Sequence, residues 1–389
     1  MLAPVPETHF FALDDGGVLF CEPAQRFYDL NSTAALSWLA LSDGLSESAA
    51  IAELVAAGAP KADARSWWEQ SLALFAAEGF LAGEPGRQRD LPPLHPPGIV
   101  EGQLLERIPP CSAHRLYRLF DTRFRVGFTN EAAIASVEGM LARLADAGGQ
   151  PADVEITLIG VGERYLIARG MTVVGVVANL AGLMARLEMV MVLTAIDTTP
   201  HLLSLHAGVL AKGGCGLMLP APSGSGKTTL TAALNRHGWD FGTDEITLLE
   251  IGAHDLRVAP LSACIKEGSW PILDSRFPSL AGQPVHERAG RRVRYLPPVG
   301  RTIERCRATH VVFPRYAAEG GGAAAMTPLS RSAGLRRLFA ECVSVPRRLS
   351  AQEAGQMVDW VRDLKFFDLT LADLSAALAS IDLLAAEES

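Results

Sequence analysis

Residues 217–228 read Leu217-Met218-Leu219-Pro220-Ala221-Pro222-Ser223-Gly224-Ser225-Gly226-Lys227-Thr228, and the fold of the chain is decided by what this stretch does. The run 215–219 is short and apolar and stops at Pro220, as a buried strand does. From Thr228 to about His237 the pattern is that of a helix, ended by Gly238. A loop rich in glycine and serine therefore joins a strand to a helix, the setting that a Walker A phosphate loop requires. Each residue type has a physical reason. Gly224 and Gly226 let successive backbone N–H groups turn inward on phosphate oxygens, and a helix starting near Lys227 adds its positive dipole end. Lys227 supplies a cation to the β- and γ-phosphates, and the Thr228 hydroxyl a ligand to Mg²⁺. Ser223, Ser225 and Thr229 complete the set expected to hold ATP. Ala221 stands where the consensus has its first glycine; alanine is small, and the position is expected to need no positive φ.

Working outward, Asp244-Glu245 follows Thr228 by sixteen residues, at the end of the run 239–243. An isolated Asp-Glu pair between strands is ordinarily a polar turn. Its place after the loop and helix gives it a second reading, as carboxylates that touch Mg²⁺ or accept a proton from an attacking hydroxyl. Upstream, residues 202–211 read as one strand leading through Gly213-Gly214 to the loop strand, and His206 lies within it. On its own this histidine is as readily a hydrogen-bonded core residue as a catalyst. Residues 241–249 likewise read as one strand region, and the tail 329–386 as mostly helical.

With 389 residues, two or three folded units are expected rather than one core. A net charge of -8 gives no general attraction to nucleic acid or to an anionic membrane, and neither is expected as a partner. The most apolar stretch, 171–196, carries Asn179, Arg186 and Glu188, costly at the centre of a bilayer, and reads as a buried strand followed by an amphipathic helix. Six cysteines without paired spacing suit reduced thiols in a cytoplasmic protein. At the N-terminus, runs at 9–13, 18–21 and 26–30 read as a small β-meander. Helices are expected to follow, capped by Asn31 or Ser32 and by Ser46, with a third over 59–79. Five prolines within 83–100 mark a stiff linker, and 320–325 a loop.

Taken together, Leu205-His206-Ala207-Gly208-Val209, residues 218–230, Gly238 and Thr243-Asp244-Glu245-Ile246 resemble, in order and spacing, the nucleotide core of HPr serine kinase/phosphorylase and its relatives. The resemblance implies a phosphoenolpyruvate-carboxykinase-like α/β fold, a Mg²⁺-ATP site and phosphoryl transfer to a hydroxyl. It makes Asp244 the catalytic carboxylate, His206 its neighbour and Glu245 the metal-proximal acid, where the family has Asp. Ile265-Lys266-Glu267-Gly268-Ser269 resembles the place of the family's Glu-x-Arg-Gly signature, which would make Lys266 a cation for the transferring phosphoryl; a plain surface loop is the alternative. Arg288, Arg291, Arg292 and Arg294 form a basic run that either grips phosphates or an acidic peptide or is simply solvated.

A second resemblance covers about residues 10–81. Tyr28-Asp29-Leu30-Asn31-Ser32-Thr33-Ala34-Ala35, followed by Trp38, is similar to PqqD-type recognition domains, small winged helix-turn-helix folds that take up a precursor's leader peptide as an added strand. The expected layout is a leader-recognition domain at 1–82, the linker at 83–100 and the kinase domain at 101–389. Function follows as phosphorylation of a Ser or Thr hydroxyl in a ribosomally made precursor peptide, as in lasso-peptide tailoring kinases. A nucleotide-dependent peptide-binding chaperone or switch, a kinase of a small hydroxylated metabolite, phosphate-driven reversal and homo-oligomerisation stay open at this point.

Overall fold

The computed structural model describes residues 3–82, 102–317, 324–341, 343–371 and 373–387. The linker expected at 83–100 lies outside them, as do residues 320–323 of the expected loop. The protein is mixed α/β with several sheets, and its described residues divide into two compact units. The first takes the described part of Met1–Leu94 together with Leu329–Phe339 and Arg347–Leu364; the second takes the remainder.

In the first unit, β1 (Thr8–Leu13), β2 (Gly16–Cys21) and β3 (Arg26–Leu30) form an antiparallel meander with β3 at one edge. Then come α1 (Ser32–Ser42), whose first turn is closed by the Asn31 side chain accepting from the Ala34 N–H, and α2 (Glu47–Ala56), capped by Ser46 in the same way. With α3 (Ala64–Ala77) they cover one face of the sheet around Leu19, Leu30, Trp38, Trp68, Phe75 and Phe80. Two segments from late in the chain join this unit. The Phe27 ring lies 5.3 Å from Phe339. Asp14 accepts from the Ser332 N–H, Asp29 from Arg336 at 2.7 Å, and Glu22 from the Ala351 N–H. Asp14 and Asp29 thus meet the first turns of the helix Arg331–Glu341, where a negative charge is favoured by the helix dipole.

The second unit opens with a five-stranded sheet of β4 (Ala113–Leu119), β5 (Thr122–Phe128), β6 (Val154–Val161), β7 (Arg164–Arg169) and β8 (Thr172–Val177), ordered as in the chain. Against it lie α4 (Glu131–Leu141) and α5 (Leu180–Thr198), which bury Val137, Met140, Leu183, Leu187 and Met191 in a shared core. The strand followed by an amphipathic helix expected at 171–196 is β8 and α5. Among the described residues no helix is long and apolar enough to cross a membrane.

Two further sheets carry the rest. One contains β9 (Leu203–Leu205), β13 (Thr247–Leu249), β14 (Asp255–Val258), β18 (Arg305–Arg307) and β21 (Val343–Ser344), ordered β18-β14-β13-β9-β21. The other is six-stranded, ordered β12-β10-β11-β19-β22-β20, from β10 (Ala207–Lys212), β11 (Cys215–Pro220), β12 (Asp240–Thr243), β19 (His310–Tyr316), β20 (Ala325–Leu329) and β22 (Lys365–Leu371). A hairpin-based sheet, β15 (Ala263–Lys266), β17 (Arg291–Leu296) and β16 (His286–Arg288), completes the unit.

Two expectations are corrected here and a third is refined. Residues 202–211 are two strands in different sheets, β9 and β10, and the region 241–249 is likewise β12 and β13. Apolar patterning reports that a segment is extended and buried but not which sheet its hydrogen bonds join, so each switch passed as one strand. The tail is mostly helical as expected, with helices at Arg331–Glu341, Ala351–Arg362 and Leu374–Glu387, but it includes a strand that its periodicity does not show. β22 pairs in parallel with β19 over seven residues, and its Phe366, Leu369 and Leu371 are buried. A strand buried on both faces lacks the clean alternation that would separate it from a helix.

Candidate active site

β11 lies between β10 and β19, is buried throughout, and runs parallel to β19 and β19 to β22. The carboxyl ends of these parallel strands lie on one side, where open α/β sheets bind ligands. The loop after β11 turns through Gly224 at φ 99° and Gly226 at φ 91°, left-handed conformations that any side chain would strain. Ala221 is buried and is not among the residues with positive φ. Gly226 is the N-cap of α6 (Lys227–Arg236), so the helix begins at Lys227 and its free N–H groups point back into the loop.

Around this loop lies a cleft of about 770 Å³. It is lined by the loop residues, by His206, Asp244, Glu245 and Lys266, and also by Arg288, Arg291, Tyr316, Leu371 and Leu374. The structure therefore brings together the residues singled out in the sequence: Ser223, Gly224, Ser225, Gly226, Lys227, Thr228, Thr229, His206, Asp244, Glu245 and Lys266. Lys266 donates to the Ser223 hydroxyl at 2.7 Å, and the Thr229 hydroxyl to Ser269 at 2.8 Å, tying the end of β15 and the turn after it to the loop and to the first turn of α6.

The sheet switches explain how His206 meets the acids. β9 pairs with β13 and β10 with β12, both antiparallel, so the two chain segments are joined at each end. Pairing runs from Leu203 with Leu249 to Leu205 with Thr247, then resumes at Val209 with Thr243. Residues 206–208 and 244–246 fall between these ladders, and His206, Asp244 and Glu245 sit there. His206 Nε2 lies 2.8 Å from Lys227 Nζ and 3.5 Å from Glu245 Oε2. Nε2 is thus placed either to accept from Lys227 or to donate to Glu245. Gly208 is needed beside it, since a Cβ there would come within 2.5 Å of the Thr231 hydroxyl on α6.

Asp244 and Glu245 are neighbours in sequence with opposite electrostatics. Asp244 is 2% exposed, and among the described residues neither of its carboxylate oxygens has a hydrogen-bond partner. Burial pushes its pKa up to about 7, the Lys227 charge pulling the other way; the Thr228 hydroxyl is near enough to lower it without meeting hydrogen-bond geometry. Burial also opposes ionisation of Glu245, but the hydrogen bond from His206 and the charges of Arg288 and Lys227 overcome it and hold this carboxyl down at about 2. An unpartnered buried carboxylate is costly in isolation, and a cation at this spot removes the cost. No group of three or more His, Cys, Asp or Glu among the described residues is arranged to hold a metal alone. Two acids beside the Thr228 hydroxyl fit instead an ion such as Mg²⁺, which binds through one or two protein oxygens plus substrate phosphates and water.

The arginine run splits by position. Arg288 ends β16 and turns inward, 2.9 Å from both Glu188 and Glu245. Arg291 is exposed and lines the cleft, Arg292 pairs with Glu267, and Arg294 lies 4.1 Å over the Trp270 ring. The reading of the whole run as solvated is thus corrected for Arg288. Glu188 went unnoticed as a site residue: on α5 it is a carboxylate among buried apolar neighbours, 3% exposed, and it also accepts from the Tyr295 hydroxyl at 3.1 Å. That lone acid in an apolar helix face was the available signal.

No protein-family model matches the chain, and comparison with curated proteins finds no match. Among solved structures it is similar to TbiB1 in complex with the TbiA(beta) leader peptide, at 15% identity and a TM-score of 0.20, over 21% of this chain and 98% of that one. It is also similar to the HPr(Ser) kinase/phosphatase from Coxiella burnetii, at 9% identity and a TM-score of 0.24, over 47% of this chain and 98% of that one. Both scores are too low to carry an argument.

Proposed function

We propose that the chain is an ATP- and Mg²⁺-dependent kinase that phosphorylates a Ser or Thr hydroxyl of a ribosomally made precursor peptide. The observation that carries this reading is Asp244, buried and unpartnered beside Lys227 and Thr228 at the glycine loop. Such a carboxylate beside the phosphate loop can face Mg²⁺ and can also accept the proton of an acceptor hydroxyl, and the second role is what a kinase requires. The loop N–H groups and Lys227 hold the phosphates. Thr228, Glu245 and Asp244 would hold Mg²⁺, which would supply positive charge to the β- and γ-phosphates. Asp244 orients the acceptor hydroxyl and takes its proton; the hydroxyl oxygen bonds to the γ-phosphorus while the bond from that phosphorus to the β-γ bridging oxygen breaks, and ADP leaves. Lys227, His206 and Lys266 surround the transferring group with donors and positive charge.

The peptide part of the reading is supported by the first unit, where β3 is a sheet edge and Tyr28 and Phe80 meet edge-to-face between strand and helix layers. A strand edge offers unpaired backbone groups to an extended leader. The test is Asp244→Asn, which keeps the shape and removes the base. Nucleotide should still bind, while phosphoryl transfer to a precursor peptide falls by roughly 10²–10⁴. Unchanged transfer would remove Asp244 from the chemistry; no transfer by the parent itself would leave a nucleotide-binding module.

A further inference from the structure

Glu188 has no stabilising reason to be where it is. Its neighbours on the inward face of α5 are Leu183, Met184, Leu187, Val190 and Met191, and a carboxylate buried among them costs several kcal/mol before its partners are counted. Replacing a buried ion pair by packed apolar side chains is often neutral or stabilising, so stability alone does not account for the charge. Its partners point instead to the cleft. One nitrogen of Arg288, Nη1, lies 2.9 Å from Glu188 Oε2 and 2.9 Å from Glu245 Oε1. That nitrogen carries two hydrogens, one for each acid. The other oxygen of Glu245, Oε2, is the one toward His206. Tyr295, on the strand paired antiparallel with β16, donates to the Glu188 oxygen that Arg288 uses.

We infer that Glu188 is a positioning residue that shares Arg288 with Glu245 and so leaves Glu245 with negative charge to offer a cation. The inference rests on the kinase reading above. The sharing is the core of it: one guanidinium nitrogen serves both acids, whereas Glu245 with Arg288 alone would be a closed, neutral pair. In a buried site a unit charge several ångströms away acts far more strongly than at a surface. Glu188 also keeps Arg288 drawn toward α5, so the guanidinium does not close on Glu245 with two of its nitrogens, the bidentate pairing Arg otherwise favours with a carboxylate.

The test is Glu188→Gln in the full chain, which keeps the acceptor for Arg288 and Tyr295 and deletes only the charge. Mn²⁺, used as the probe ion, is titrated by electron paramagnetic resonance in the presence of ADP. Glu188→Gln should weaken Mn²⁺ binding about tenfold, with Glu188→Asp intermediate, while thermal stability holds or rises. In transfer assays the Mg²⁺ concentration for half-maximal rate should rise by a similar factor with little change in KM for ATP at saturating Mg²⁺. Mn²⁺ binding equal to the parent's in Glu188→Gln overturns the inference and makes Glu188 structural. Absence of nucleotide-linked Mn²⁺ binding in the parent itself overturns the kinase reading, and this inference with it.

Discussion

The meander of the first unit and the strand pair beside the glycine loop are both antiparallel, yet one is continuous and the other broken. β1 and β2 stay in register over six pairs, from Thr8 with Cys21 to Leu13 with Gly16. β10 and β12 make three pairs, shift register between Val209 and Leu210, and give way to a different sheet. In the continuous ladder side chains alternate to two faces and the backbone is used up. At the break the two segments stop pairing with each other, and His206, between β9 and β10, can converge with Asp244 and Glu245, between β12 and β13. Interrupted ladders are where proteins re-aim side chains for chemistry. The regular sheet offers something else, an edge.

The largest effect should come from the broken region. Lys227→Ala removes the cation beside His206 and the loop, and phosphoryl transfer should fall by at least about 10³, as when preorganised charge is removed from a phosphoryl-transfer site. The first unit should keep its fold, which circular dichroism and limited proteolysis would check. Full transfer in that variant would separate the break from catalysis.

A smaller effect should come from the edge. If β3 holds a leader, deleting the leader from a precursor peptide converts a tethered acceptor into a free one, and apparent KM for the core should rise by roughly 10²–10⁴. A substitution in β3 should leave ATP hydrolysis without peptide unchanged, since the glycine loop and the acids belong to the second unit. Equal kinetics with full-length and leaderless peptide would leave the edge without this role and favour a small hydroxylated acceptor.

The two regions were not equally legible in the sequence. Gly224, Gly226 and Lys227 announce themselves because the loop makes local demands, two positive φ angles and a helix starting at the lysine, that only certain residues meet. The meander and its caps at Asn31 and Ser46 were legible for the same reason. Asp244 and Glu245 could be picked by spacing from the loop. Their opposite electrostatics could not, because these depend on Arg288 and Glu188, 43 and 57 residues from Glu245 in the chain. The same holds for the tail. Residues 365–371 are a strand only because β19 lies beside them, and the segments Leu329–Phe339 and Arg347–Leu364 join a unit whose other residues come from the start of the chain. Local rules were readable; partnerships across the chain were not.

The smallest expected effect is on stability, and it sharpens the comparison because a continuous sheet has no reason to show it. Asp244 has an ordinary pKa of 3.8 and is raised to about 7 in the fold. Between those values the folded protein keeps a proton that the unfolded chain has lost, so stability falls as pH rises through about 4 to 7 and levels off above. Glu188, also pushed up by burial, acts in the same direction, and Glu245, held down, contributes in the opposite sense only under more acid conditions. The metal-free parent should therefore unfold at a lower temperature at pH 7.5 than at pH 5. Asp244→Asn should be a few degrees more stable than the parent at pH 7.5 and should lose part of the pH dependence, Glu188 keeping the rest. Adding Mg²⁺ with ADP at pH 7.5 should raise the parent's Tm more than the variant's, because the ion relieves a charge the variant lacks. Differential scanning calorimetry at the two pH values reads all of this. A parent whose Tm rises with pH, with Asp244→Asn unchanged beside it, would mean that the carboxylate at the broken ladder carries no uncompensated charge.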